Sequence, residues 1–253
     1  MGQVITIANQ KGGVGKTTTA VNLSASIAAA ERTCLLIDCD PQGNATTGLG
    51  INKATLEKGL YDLLVSDGRQ NDLIIKTGLS RLDLIGATSN LIGVEVELFD
   101  MEDKEFRLKR AIEKLRNNYD YILLDCPPSL GFLTINALTA ADSVLIPLQC
   151  EYYALEGLSQ LIETVNAIKK SLNPSLKIEN ILLTMYDKRN NLSQEVAEDV
   201  RLHFKGRVFS TVIPRNVRLS EAPSHGKPIL LYDIRSSGAQ SYLALAKELI
   251  GKD

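Results

Sequence analysis

A chain of 253 residues, 44% hydrophobic and 23% charged, has the material for one large α/β core, since a domain of this size buries roughly three quarters of the surface its unfolded form exposes. No apolar run reaches the roughly 18 residues of a membrane span, and the start MGQVITIAN lacks the basic and apolar regions of a secretory leader. A net charge of -2 leaves any nucleic-acid contact to a local basic patch, and four cysteines with no C-x-x-C pair argue for buried thiols in a reducing cytosol rather than zinc or disulfides.

Along the chain, apolar runs of strand length alternate with segments of helical period. That pattern predicts βαβ units and a mainly parallel, doubly wound sheet covered by helices on both faces. The expected strands are 4–8, 33–37, 82–85, 121–124, 143–147, 181–185 and 208–213. The main expected helices are 16–30, 106–117, 155–172, 192–204 and 239–250. No internal repeat or linker-like stretch interrupts them, so 1–253 is expected to form a single domain.

Between the first strand and the first helix stands Lys11-Gly12-Gly13-Val14-Gly15-Lys16-Thr17-Thr18. Glycines at such a junction let successive backbone N–H groups turn inward, and the helix dipole adds positive charge, which together make a phosphate cradle. Lys16 is placed to reach the β and γ phosphates and the Thr17 hydroxyl to ligate Mg²⁺. The second strand ends in Asp38-Cys39-Asp40, and the strand over 121–124 delivers Asp125 just before Pro127 and Pro128. Ligands bind at the carboxyl ends of parallel strands, so these carboxylates are expected near the phosphates. A strand-end aspartate also caps a following helix, and both readings stand for Asp38 and Asp40.

The stretch KGGVGKTTTAVNL resembles the deviant Walker A motif of the ParA/MinD family of P-loop ATPases. Four further stretches resemble the chromosomal ParA proteins: DPQGNATTGLG from Asp40, DCPPSLGFLTINALTAAD from Asp125, QCEYYALEGLSQL from Gln149 and VIPRNVRLSEAPSHGKPILLYD from Val212. The resemblance covers nearly the whole chain. It implies ATP and Mg²⁺ as ligands, slow hydrolysis, and Lys11, Lys16 and Asp40 as the catalytic residues. In this family the first lysine crosses a sandwich homodimer to touch the partner's nucleotide. Asp40 would orient the attacking water, Thr17, Asp40 and Asp125 would surround the metal, and Asp38 would support its hydration shell. Pro214, Arg215 and Asn216 would close over the adenine.

The resemblance further implies non-specific binding of double-stranded DNA by the ATP dimer, stimulation of hydrolysis by a ParB-like partner, and a cytoplasmic, nucleoid-associated location. Arg189 and Arg218 are the DNA-binding residues carried over, with Lys188, Arg215, Lys227, Arg235 and Lys252 as further basic candidates. The alternative is a MinD-like membrane-associated ATPase, which carries a basic amphipathic helix at its C-terminus. The sequence ends Leu249-Ile250-Gly251-Lys252-Asp253 without such a helix. Gly12 is expected in a crowded loop, where valine would block dimerisation more than nucleotide binding.

Overall fold

The computed structural model describes residues 1–66 and 70–251, so Lys252 lies outside the described residues. Seven strands form one sheet: β1 (Gln3–Ile7), β2 (Cys34–Asp38), β3 (Ile75–Lys76), β4 (Leu82–Ile85), β5 (Tyr121–Asp125), β6 (Ser143–Gln149) and β7 (Lys177–Thr184). Their order is β3-β4-β2-β5-β1-β6-β7. Every pairing is parallel except that of β3 with β4.

Alternation along the strands divides the core in two. Val4, Leu35, Ile37, Ile122, Leu124, Val144 and Ile146 enter one cluster. Ile5, Ile7, Cys34, Leu36, Tyr121, Leu123 and Leu145 enter the other. The first cluster is covered by helices including Arg107–Leu115, Phe132–Ala140, Ala154–Ser171 and Asn191–His203. The second lies under the helix Lys16–Ala29, which is itself packed against the carboxyl-terminal helix Ser237–Ile250.

That helix pairing explains why Lys16–Ala29 is buried nearly all round without losing polar satisfaction. The Thr19 hydroxyl meets Tyr242 Oη at 3.1 Å, Ser26 Oγ donates to Asn22 O at 2.7 Å, and Asn22 Oδ1 accepts from Ile229 N at 2.7 Å. Each bond avoids the penalty of about 1–3 kcal/mol for an unpaired buried group. All four cysteines are free and buried.

Several elements differ from the sequence expectation: β3 is not among the expected strands, and β7 begins at Lys177 rather than at 181. Residues 208–213 do not form a strand. The segment runs beside β7 with isolated parallel bridges at Val208 and Pro214. Between them Phe209 N and Ile213 N still donate to Ile181 O and Leu183 O, each at 2.9 Å, while the Ser210 and Thr211 amides turn to the Glu248 carboxylate, at 2.7 and 2.9 Å, which breaks the regular ladder. The helix Phe132–Ala140 carries no amphipathic stripe because it is buried on almost every side, from Phe132 and Thr134 through Asn136 to Leu138.

Candidate functional site: the carboxyl ends of the central strands

β1 lies between β5 and β6, whereas the chain after β1 crosses to β2 on the far side of β5. The loop that follows β1 therefore opens at a switch point of the sheet, where doubly wound folds bind ligands. The register places Ile7 and Asp38 on either side of Asp125. The backbone bonds Cys126 N to Ile7 O at 3.2 Å and Cys39 N to Asp125 O at 2.9 Å extend that alignment past the strand ends. The structure thus gathers Lys11 to Thr18, Asp38, Asp40 and Asp125 at one edge of the sheet.

In the loop, Gly13 has φ 76° and Gly15 has φ 90°, left-handed conformations that strain any residue with a Cβ. Thr184 Oγ1 anchors the turn by donating to Val14 O at 2.8 Å. Gly12 is different: an added Cβ would meet nothing within 4 Å. The expected crowding there does not come from this chain. Lys16 is 7% exposed and its Nζ donates to Lys11 O at 2.9 Å, curled into its own loop. Burial lowers its pKa, and the charges of Asp125 and Asp40 oppose that effect.

The three carboxylates have different partners. Asp38 accepts from Asp40 N at 3.2 Å with one oxygen, and from Thr46 N at 2.8 Å and Thr46 Oγ1 at 2.6 Å with the other. It therefore secures the short helix Asn44–Gly48. Burial pushes its pKa up to about 6, with the Thr46 bonds pulling the other way. Asp40 accepts from Gln42 N at 2.9 Å through Oδ1. Asp125 is fully buried, and neither of its oxygens has a hydrogen-bond partner. Burial raises its pKa well above the usual carboxylate range, and the charge of Asp38 raises it further. The Thr17 hydroxyl is near enough to oppose that rise without completing a bond.

Beside the loop a cavity of about 520 Å³, within the usual size of ligand pockets, is lined by residues including Gly15, Thr18, Pro214, Arg215, Asn216 and Tyr242. Asn216 Nδ2 donates to Ser237 Oγ at 2.7 Å, leaving Oδ1 buried without a donor. A larger hollow of about 760 Å³ lies at the other end of the strands, but groups there such as Arg116 and Asp142 already pair with each other.

The partners of three cations escaped the sequence reading. Lys11 forms an ion pair with Glu151, whose other oxygen accepts from the Gln149 side chain. Arg189 is held by Asp187 through two guanidinium bonds of 3.0 and 2.9 Å. Arg218 pairs with Glu221 at 2.8 Å and lies 3.7 Å from Asp233. The arginine pairs are local in sequence, so spacing could have shown them. Lys11 and Glu151 are 140 residues apart and meet only because β1 and β6 are neighbours.

This fold and loop define a P-loop nucleotide hydrolase. A family model described as an AAA domain matches residues 2–178. The sporulation initiation inhibitor protein Soj of Bacillus subtilis (strain 168) is 61% identical over 249 residues, 98% of each chain. The chromosome partitioning protein ParA of Myxococcus xanthus (strain DK1622) is 58% identical over 253 residues, 100% of this chain and 89% of that one. Among solved structures, a cobyrinic acid a,c-diamide synthase from Mycobacterium smegmatis with bound ATP analogue and magnesium is 36% identical with a TM-score of 0.86, covering 99% of this chain and 95% of that one. The cell division ATPase MinD of Pyrococcus furiosus is 26% identical with a TM-score of 0.83, covering 100% of both. The chain belongs to the Soj/ParA family of chromosome-partitioning ATPases. Among the described residues no helix is long and apolar enough to cross a membrane.

Proposed function

We propose that this chain, acting as one domain over 1–253, is a cytoplasmic partitioning switch. ATP and Mg²⁺ bind at the loop Lys11 to Thr18, a sandwich homodimer forms around the nucleotide and grips DNA without sequence preference, and a ParB-like partner stimulates the hydrolysis that resets it. The observation that carries this reading is Asp125, a buried carboxylate with both oxygens unpartnered, beside Thr17 and the phosphate loop. A buried charge with no partner is costly, and a hard cation with its water shell suits an oxygen donor set of this kind. Thr17 and Asp125 would hold the magnesium, which neutralises charge on the transferring phosphoryl group.

The remaining roles belong to the chain itself. Lys16 exchanges the Lys11 carbonyl for phosphate oxygens. The second Asp40 oxygen is available to orient water for attack. Asp38, occupied by Thr46, keeps the segment after β2 in place for Asp40 and adjusts the metal shell only through that position. The buried Asn216 acceptor suits an exocyclic amine such as that of adenine, with Pro214 and Arg215 beside it. Lys11, half exposed in its pair with Glu151, is free to exchange that carboxylate for a partner's phosphate, because exposed ion pairs are worth about 0–1 kcal/mol.

The same weakness lets Arg189 and Arg218 leave their carboxylates for DNA phosphates once a dimer aligns two sets along one duplex. Co-sedimentation with DNA in ADP, ATP and a slowly hydrolysed analogue, across a salt series, tests the reading. If about six phosphates are neutralised, log affinity should fall against log salt with a slope near -5 in the ATP state. Equal affinity in ADP and ATP would refute the switch.

A further inference from the structure

Among the described residues, the segment that follows β4 is two-faced and has no partner on its outer side. After β4 the chain forms a 3-10 turn, Ser89–Gly93, and a short helix, Val94–Glu97. Leu91, Val94 and Leu98 face inward, each 1% exposed. Ile92, Val96 and Phe99 repeat at the same helical spacing on the other side and are 71, 82 and 67% exposed. Isolated exposed apolar residues are ordinary on a soluble protein. Three on one face with a polar rim mark an interaction site.

The rim has one sign. Residues 95–105 hold six carboxylates (Glu95, Glu97, Asp100, Glu102, Asp103, Glu105) against one cation, Lys104, a local charge of -5 in a chain whose total is -2. Glu97 is taken by the Tyr61 hydroxyl and Asp103 by Arg110. Glu95, Asp100, Glu102 and Glu105 make no ion pair or hydrogen bond among the described residues. Lys104 Nζ sits 4.5 Å from the Phe99 ring centroid, so this ring already receives an ammonium on one face.

We infer that the surface of Ile92, Val96 and Phe99 docks a basic amphipathic segment of the ParB-like protein that stimulates hydrolysis. The inference rests on the functional reading above and gives that partner a place and a chemistry. Carboxylates around the patch repel nucleic acid and anionic lipid. A symmetric contact with a second copy would set the same carboxylates against each other. A basic segment with apolar anchors answers both the patch and its rim.

The position also suits stimulation. Just before the segment, Ala87 N donates to Thr46 Oγ1 at 3.1 Å, and that hydroxyl donates to Asp38 Oδ2 at 2.6 Å. Docking outside β4 therefore bears on the residue that fixes the loop carrying Asp40.

The test compares the full chain with two variants, I92S/V96S/F99S and E95K/D100K/E102K, measuring ATP hydrolysis against purified ParB-like partner. Basal hydrolysis, DNA co-sedimentation and sedimentation velocity serve as controls. Both variants should keep basal turnover and DNA binding within about twofold, while the partner concentration for half-maximal stimulation rises at least tenfold. Stimulation of both variants at the wild-type concentration would overturn the docking site and leave the functional reading standing. A wild-type chain that no such partner stimulates would overturn both. Loss of the ATP-dependent dimer in I92S/V96S/F99S would reassign the patch to self-association and likewise overturn the inference.

Discussion

At the scale of single residues, hydrogen-bond partners distinguish two buried carboxylates at the ends of neighbouring strands. Asp125 has no hydrogen bond, whereas Asp38 is secured by Thr46, although both stand in one row of the sheet. The Asp38 pKa of about 6, against an ordinary 3.8, fixes the sign of a pH effect. The folded chain holds this proton more tightly than the unfolded one, so the contribution is complete below about pH 4 and is lost as pH rises through about 6. Denaturant unfolding without nucleotide should show stability declining across that window by on the order of 3 kcal/mol. In Asp38→Asn the decline should shrink. An unchanged slope in the variant would assign the titration elsewhere.

Gly12 makes a second residue-scale case. Nothing in this chain lies within 4 Å of a Cβ there, so Gly12→Val should leave the fold intact and nucleotide binding within a few fold. Any loss must come from outside this chain, and in the proposed dimer a second copy approaches the loop. Equilibrium nucleotide binding together with light scattering in ATP should therefore show a nucleotide-bound monomer. A variant that dimerises as wild type would contradict this.

At the scale of elements, the sequence reading succeeds where burial is uniform and local. β1, β2, β4, β5 and β6 are runs of residues buried on both faces apart from Gln3 and Gln149 at the ends of β1 and β6, and apolar composition alone reveals them. β3 is two residues long and carries no such signal. The helix Phe132–Ala140 hides because complete burial erases the amphipathic stripe that betrays other helices. Residues 208–213 mimic a strand by composition, yet Glu248, far along the chain, takes the Thr211 amide, which lies between the Phe209 and Ile213 amides that do reach β7, together with the neighbouring Ser210 amide. Glu248→Ala should leave those amides without their acceptor and lower stability by about 1–3 kcal/mol, read from the denaturant midpoint. No shift would mean that the carboxylate does not hold this edge. The phosphate loop and Asp125 were legible because each motif is contiguous and sits at a strand end. The Lys11–Glu151 and Asp38–Thr46 pairings were not, because sequence order says nothing of which strand ends become neighbours or how a capping turn closes.

At the scale of the whole molecule, four cations that the proposed cycle would use already have partners within the chain. Lys16 holds the Lys11 carbonyl, Lys11 holds Glu151, Arg189 holds Asp187, and Arg218 holds Glu221. The exposed pairs among these are weak in water, so phosphate from nucleotide or DNA competes well for them. In the proposed cycle binding would exchange these partners without requiring a new fold. The polar contacts that quiet the free chain mark the groups the proposed dimer would use.

The most direct test is the association state of Asp40→Ala, disabled for hydrolysis, by sedimentation velocity in saturating ATP and magnesium. The account predicts a dimer in ATP, a monomer in ADP, and a monomer in ATP when Lys11→Ala is added. A chain that stays monomeric in ATP, or one that dimerises equally well without Lys11, would contradict it.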